Sequence, residues 1–543
     1  MYKTKDLKMT FLGVIPVLKD ETGYLKPQDL ASLSALMTFK GQSVKDLYSE
    51  AVEKGQDLNK KVKTIVRKSS LRGHASMATT PALCFTYEAS KFIDSLMTGM
   101  VFSSCLMASG RRTDSVPDDI VFPSSIEENE EAKKIYLEES TKNIETLNFF
   151  LSKKMIKDDA SKVLQYGIYG TGIIVYPIES VLAFKKEAEI EGEWMPEEAM
   201  MIVREIEKNL EEMGVELIYA SRELAARNFY PYPNAFKDPK KSNIVRELVE
   251  EKGMPEELTS IIDFNTVITK GLDEKAKEIN ELANKTKGSL ENLKKSWRKV
   301  LDARHVLARD YHNSLNVKVL SSVSWRVWGD KRRHRTVPMV ADSLYYSMER
   351  CVPVFKEMKE KIENKKLSKK DVKKIDRVFT IPVSVERNEE FLYTYLERII
   401  SSVNTYFKLI NDYKVKPSDA IFVVPRGVRV DVFQSYDFFN LISGYYPLRT
   451  CSTVESQLRP LALKEMDKIK EKLREADLSN VAKLMVTKCH IPQFCLEEKT
   501  CGTIKTCVKN YSDSFHEEMK AELDNEFDEK LNNIKSNKEA INA

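Results

Sequence analysis

The sequence predicts a helix-rich α+β protein with a modest sheet in each of two fused, related copies of one unit, and three observations predict it. Lys, Glu, Leu, Ala and Met are abundant, and many stretches repeat apolar residues at i, i+3, i+4 and i+7, the period of an amphipathic helix. Strand-like runs are few and short. A set of landmarks then recurs in the same order in both halves of the chain.

In chain order, residues 9–17 read as a strand and 84–108, 128–155 and 196–213 as helices. Residues 215–220 read as a strand, and 234–243 as a polar loop. Residues 271–308 and 389–412 read as helices, and 378–385 and 421–424 as strands. The lysine-rich stretch 356–374 reads as an exposed helical insertion, and the tail from Ser512 as a charged helix.

The repeat rests on particular residues. Asp159-Ala160 and Asp419-Ala420 each follow a helical pattern, and each lies downstream of a short apolar run ending in a proline, Pro123 or Pro382. The two prolines stand 259 residues apart, whereas the earlier landmarks Gly99 and Arg333 stand 234 apart. The lysine-rich insertion falls between these landmarks and accounts for most of the difference. The expected division is a first unit over 1–213, a second over 214–477 and a Cys-rich, charged extension over 478–543.

Composition narrows the function. A formal net charge of +4 gives no general nucleic-acid or membrane signal. No apolar run reaches 18 residues, so no membrane-spanning helix is expected. The N-terminus lacks the long apolar core and cleavage site of a signal peptide, which points to the cytoplasm. Of the eight cysteines, Cys489, Cys495, Cys501 and Cys507 recur every six residues, with His490 adjacent. In a cytosolic protein such a cluster suggests a metal, structural zinc or an iron–sulfur cluster, with buried free thiols and then disulfides as the alternatives.

The residues with chemical promise are cationic. Lys331-Arg332-Arg333-His334-Arg335 makes a polyanion site plausible, because guanidinium groups bind phosphate bidentately and histidine moves protons. Trp325, Trp328, Tyr345 and Tyr346 lie nearby. The first half carries Ser104, Ser109, Gly110 and Arg111, with His74 standing 25 residues before Gly99. Arg112, Arg426 and Arg429 read as surface charges.

Together these residues resemble the flavin-dependent thymidylate synthase family. Its signature is Arg-His-Arg, two residues, Ser, four residues, then Ser-x-Arg, with a histidine upstream and Leu-Arg downstream. The second half is similar at Arg333, His334, Arg335, Ser343 and Leu448-Arg449, and departs at Pro338 and Tyr345. The first half has Gly99-Met100-Val101 in place of Arg-His-Arg, yet keeps Ser104, Ser109, Gly110 and Arg111 in register. Met107 and Ala341 replace the family glutamate, and Asp431 and Thr171 replace a further arginine, with Arg429 as a slipped substitute.

The resemblance implies FAD as cofactor, NADPH and methylenetetrahydrofolate as co-substrates, and reductive methylation of dUMP to dTMP. It assigns no enzyme nucleophile. It implies that Arg333, His334, Arg335 and His74 hold the flavin, and that Ser109, Gly110, Arg111, Ser343 and Arg449 hold the nucleotide. Each half keeps part of the set, so one composite site could be assembled from two incomplete ones, in a homodimer resembling the family tetramer. The lost glutamate leaves open a diverged descendant that binds nucleotide or nucleic acid without this catalysis.

Overall fold

The computed structural model describes residues 1–20, 23–110, 114–225, 229–253, 255–286 and 290–542. It is a helix-rich α+β protein that separates into two compact units. The first comprises Met1–Gly253, Ser322–Arg335 and Val340–Val432; the second comprises Met254–Ser321, Thr336–Met339 and Phe433–Ala543.

The first unit is built on an antiparallel sheet in the order Lys8–Ile15, Ala82–Ser90, Tyr169–Pro177, Ser104–Met107. In its central strand Leu83, Phe85 and Tyr87 alternate onto a buried face, as the two-residue pleat requires. Two 23-residue helices, Glu130–Ser152 and Glu389–Asn411, start in the same way. Asn129 and Asn388 cap them by accepting the amides of Ala132 and Phe391, each at 3.0 Å, and paired glutamates in each first turn suit the positive helix end. Phe150 meets Phe391 with ring centroids 5.7 Å apart, and Glu139, deep in the same packing, accepts from Arg398 at 2.6 Å and Ser402 at 2.7 Å.

Hydrogen bonds in this unit come in reciprocal pairs. The Gly167 amide donates to Phe422 O at 3.2 Å, and the Gly427 amide donates to Lys162 O at 3.0 Å. The Ser125 hydroxyl donates to Asp419 at 2.6 Å, and that of Ser384 to Asp159 at 2.5 Å. Tyr136 donates to Val121 O and Tyr395 to Thr380 O, both at 2.7 Å.

In the second unit Thr259–Thr266 pairs antiparallel with Leu315 onward, with a bulge between Lys318 and Val319. Helices Lys270–Thr286, Leu290–Asp310 and Leu458–Glu475 accompany them. Its core gathers Val317, Val319, Tyr436, Tyr445, Ile469 and Leu473. The buried Glu465 accepts on Oε1 from Ser321 at 2.7 Å and Thr259 at 3.2 Å, and on Oε2 from the Tyr446 hydroxyl at 3.3 Å. The tail folds over a smaller cluster of Trp297, Phe494, Tyr511, Phe515 and Met519 and ends in the helix Asp513–Asn542.

Several local expectations are corrected. Residues 84–108 are not one helix: they form most of the strand Ala82–Ser90, the short helix Phe92–Met97 and the strand Ser104–Met107. Residues 215–220 lie in a helix, Glu216–Ala225, whose Arg222 pairs bidentately with Glu179 at 2.7 Å. Ile421–Val423 is a 3-10 turn. Within 378–385 there is a single bridge, Phe379 to Val428, before the short helix Val383–Glu386. Among the described residues no helix is long and apolar enough to cross a membrane.

A four-cysteine metal site is not seen among the described residues. All eight cysteines are free, and among the described residues no group of three or more His, Cys, Asp or Glu is arranged to hold a metal. Cys489 and Cys495 pack in the tail's apolar cluster, whereas Cys501 faces solvent with its Sγ 3.1 Å from Thr503 Oγ1. Burial, and then the neighbouring Cys495, Cys451 and Cys501, push the Cys489 thiol up to about 12.

Candidate functional site

A cavity of about 170 Å³ in the first unit gathers Lys91, Asp94, Ser109, Gly110, Arg326, Asp330, Arg333 and Arg426 around Tyr166. Each arrives for a local reason. Lys91 and Asp94 sit where the central strand turns into the helix Phe92–Met97. That corner is held by Glu198, which is fully buried and accepts both the amide of Ser90, at 2.9 Å, and its hydroxyl. Ser324 caps the helix Trp325–Lys331 by accepting the Val327 amide at 3.2 Å. The helical spacing then sets Arg326, Gly329 and Asp330 on one face. The backbone of Arg426 is fixed from two sides: its amide donates to Leu164 O and its carbonyl accepts the Arg326 amide, each at 3.0 Å.

Four cations meet two carboxylates here. Lys91 Nζ lies 3.5 Å from Asp94 Oδ2, and Asp94 Oδ1 accepts from Tyr87 at 2.8 Å. Arg326 pairs with Asp330 at 3.2 Å. Arg426 is 1% exposed, with its guanidinium over the Tyr166 ring at 4.6 Å and its Nε donating to Gln165 O at 3.1 Å. Its Nη2 has no hydrogen-bond partner among the described residues. Burial lowers its pKa to about 10, and the same desolvation lowers that of Lys91. A buried guanidinium with an unmet N–H is unfavourable by about 1–3 kcal/mol for that donor alone, which an anion would relieve. Gly110 completes the cradle: a Cβ there would lie 2.8 Å from Arg426 Nη1. The volume suits the charged end of a ligand, since whole small-molecule pockets run to roughly 300 Å³ and above.

Arg332, next to the cavity, has a different task. Its guanidinium closes the end of the helix Phe92–Met97, donating from Nε to Thr98 O at 2.6 Å and from Nη2 to Leu96 O at 3.3 Å, with a further bond to Ser95 O and one to the Tyr232 hydroxyl at 2.8 Å. Gly99 is required there: its φ is +94°, and a Cβ would lie 3.1 Å from Arg332 Nε.

The sequence candidates divide as follows. Ser109, Gly110 and Arg333 meet in this cavity. Arg111 lies outside the described residues. His334 and Arg335 follow Arg333 directly without lining the cavity; the Arg335 Nε is buried with no hydrogen-bond partner among the described residues, and its charge acts on Cys105. Ser343 is fully buried, donating to Lys237 O at 2.6 Å and capping the next helix at Tyr346. His74 lines a separate cavity of about 890 Å³ with Lys60, Lys61, Lys68 and Phe39. Arg449 ends the helix Tyr445–Arg449 in the second unit.

Arg426 and Arg429 are not surface charges. Arg429 is buried with Nη2 on Asp376 at 2.7 Å and Nη1 on Ser322 O at 3.0 Å. Asp431 is likewise buried and paired with Arg350. Lys91, Arg326 and Arg426 were missed as site residues. A signal existed for Arg426, a charge embedded in the apolar run Val423, Val424, Val428, where only a buried side chain is expected.

Beside the cationic cavity the interior is aromatic. Phe92 stacks on Phe422 at 4.0 Å, Trp325 meets Phe92 at 5.2 Å and Tyr166 at 4.5 Å, and Phe236 closes on Trp325 at 5.8 Å.

Residues 271–473 match the family model described as thymidylate synthase complementing protein. No curated protein matches the chain. Among solved structures, the UMP/dUMP methylase PolB from Streptomyces cacaoi bound with 5-Br dUMP is similar at 10% identity and a TM-score of 0.31, over 41% of this chain and 96% of that one. The flavin-dependent thymidylate synthase ThyX from Helicobacter pylori, complexed with FAD and dUMP, is similar at 13% identity and a TM-score of 0.27, over 42% and 99%. By the match over 271–473, the chain carries a segment of the thymidylate synthase complementing protein family, the flavin-dependent thymidylate synthases.

Proposed function

We propose that this chain is a flavin-dependent enzyme that methylates a uridine nucleotide, with dUMP as substrate and methylenetetrahydrofolate and NADPH as co-substrates, working from one composite site per chain. The observation that carries this reading is the meeting of Ser109 and Gly110 with Arg333 and Arg426 in one cationic cavity. The unmet Arg426 Nη2 fits a phosphate oxygen, and the absence of a Cβ at Gly110 lets its backbone lie close to Arg426 Nη1. Ser109, the Gly110 backbone, Lys91 and Arg426 would bind the nucleotide phosphate, with Arg111 added by the family resemblance, while Arg333, His334 and Arg335 would orient the flavin. FAD, when bound, supplies hydride transfer from NADPH to the transferred one-carbon unit. The protein's share is to fix the two rings in register and to neutralise the anion.

The duplication belongs to this proposal, with copies over 1–213 and 214–477. It is supported by the reciprocal hydrogen bonds and by the matched Asn-capped helices. On that reading Trp325 stands where the other copy has Lys91, and Tyr166 where it has Arg426, so aromatic residues fill the second position and one working site remains. A homodimer in the cytoplasm follows from the family resemblance.

The test is flavin content: a yellow protein with an absorbance band near about 450 nm, whose reduced flavin is reoxidised in a dUMP-dependent manner. Tritium release from 5-labelled dUMP then identifies the acceptor. A colourless protein that FAD does not reconstitute favours the second reading, a nucleotide-binding descendant without catalysis. The cavity's small volume favours that reading.

A further inference from the structure

A second cavity, of about 300 Å³, lies wholly within the second unit, and its walls include Arg304, Lys483, His490, Asn284, Gln493 and Cys507. No aspartate or glutamate lines it. Arg304 is 4% exposed and donates from Nη2 to Leu484 O at 2.8 Å and to Ile442 O. Its Nε has no partner among the described residues. Burial alone lowers its pKa, to about 10, with no neighbouring charge opposing the shift. Charges this deep are ordinarily paired, because an unmatched one is strongly unfavourable. Here the neighbours are a second cation and amides: Lys483 Nζ rests only 3.2 Å from the neutral Asn480 Oδ1, and Gln493 spans the wall by donating to Ala283 O at 2.6 Å and accepting from Thr286 at 2.9 Å.

We propose that this cavity binds a small organic oxyanion, a phosphate or carboxylate, through Arg304 and Lys483. The unmet Nε–H of Arg304 can donate to either headgroup, and the ammonium of Lys483 adds a second positive charge. The volume falls at the lower bound of small-molecule sites, about 300 Å³, which admits a headgroup with a short carbon frame. The cavity is walled by the helices Lys270–Thr286 and Leu290–Asp310 together with the Cys-rich segment, so an occupant would tie the tail to the rest of the second unit. Nothing in this inference depends on the cavity at Arg426.

Cys507 provides a local readout because it lines this cavity, whereas Cys501 is exposed and does not line it. The full-length protein is alkylated with iodoacetamide, and labelling of each cysteine is followed by peptide mass spectrometry. The probes are glycerol 3-phosphate and citrate, each at about 10 mM, with sodium chloride at matched ionic strength as the control. That concentration is ten times a Kd of about 1 mM, so Cys507 labelling should slow about tenfold, as 1 + [L]/Kd, while Cys501 is unchanged. Protection by glycerol 3-phosphate alone, by citrate alone or by both supports the site and identifies its headgroup. Arg304→Met keeps the length without the charge and should abolish the protection. Lys483→Met should weaken it, and it serves as the deciding variant if Arg304→Met does not fold. No slowing by either anion, or equal protection in the substituted protein, overturns the proposal.

Discussion

Glu198→Gln should flatten the pH dependence of stability over a definite window. Glu198 is fully buried, and desolvation raises its pKa to about 7 against the accepted bonds from Ser90, with Glu197 and Asp419 adding repulsion. A carboxyl whose folded pKa lies above its unfolded value near 4.5 contributes stability that is fully present below about pH 4.5 and lost as pH rises through 7. At about 1.36 kcal/mol per unit, the loss is about 3 kcal/mol between pH 4.5 and pH 7.5. Asp419, raised to about 6 mainly by burial and then by Glu197, slopes in the same direction. Glutamine remains neutral throughout. The substituted protein should therefore gain on the wild type with rising pH and be the more stable by about 2–3 kcal/mol at pH 8. Urea unfolding at half-unit pH steps from 5 to 8.5 measures this. Parallel curves for the two proteins across the window would refute the reasoning, because a purely structural role for Glu198 shifts stability without changing its slope.

Three further outcomes are expected. Gly110→Ala places a methyl against Arg426 Nη1 and displaces it, removing about one charge-assisted hydrogen bond of 1.5–3 kcal/mol; dUMP affinity should fall about 10- to 150-fold by calorimetry while the urea midpoint hardly moves. Arg332→Met strips the end of the helix Phe92–Met97 of its donors and should destabilise the fold by about 3–5 kcal/mol in urea unfolding, and a loss under about 1 kcal/mol would disprove the role. With a thiol reagent at pH 8, Cys501 should react first, because hydrogen bonds from Ser452 and Thr503 outweigh the opposing effect of burial and lower its pKa. Cys351 and Cys489, pushed up to about 12 by burial, should react only once the protein is denatured.

The long helices were legible because their signals agree. Glu130–Ser152 and Glu389–Asn411 each join an asparagine cap, first-turn glutamates and a sustained apolar face. Residues 84–108 misled because strand, helix and strand follow one another with continuous apolar content, which periodicity cannot divide. Ile421–Val423 misled for a similar reason: a fully buried β-branched run resembles a strand even when its backbone turns. At the site, spacing singled out Ser109, Gly110 and Arg333, whereas Lys91, Arg326 and Arg426 are distant in the chain and join only through tertiary structure. Ser343 shows the converse: a serine in the expected register whose hydroxyl is used to cap a helix.

The anchoring of Arg332 has a consequence for the residue that follows it. With its side chain held by the carbonyls of Ser95, Leu96 and Thr98, the main chain at Arg332 has little freedom, and Arg333 leaves that fixed point already directed to the cavity. An anion arriving there need not immobilise a wandering loop, so less ordering entropy opposes capture. One arginine is thus spent on rigidity so that its neighbour can be selective, and two adjacent residues of the same type become non-interchangeable.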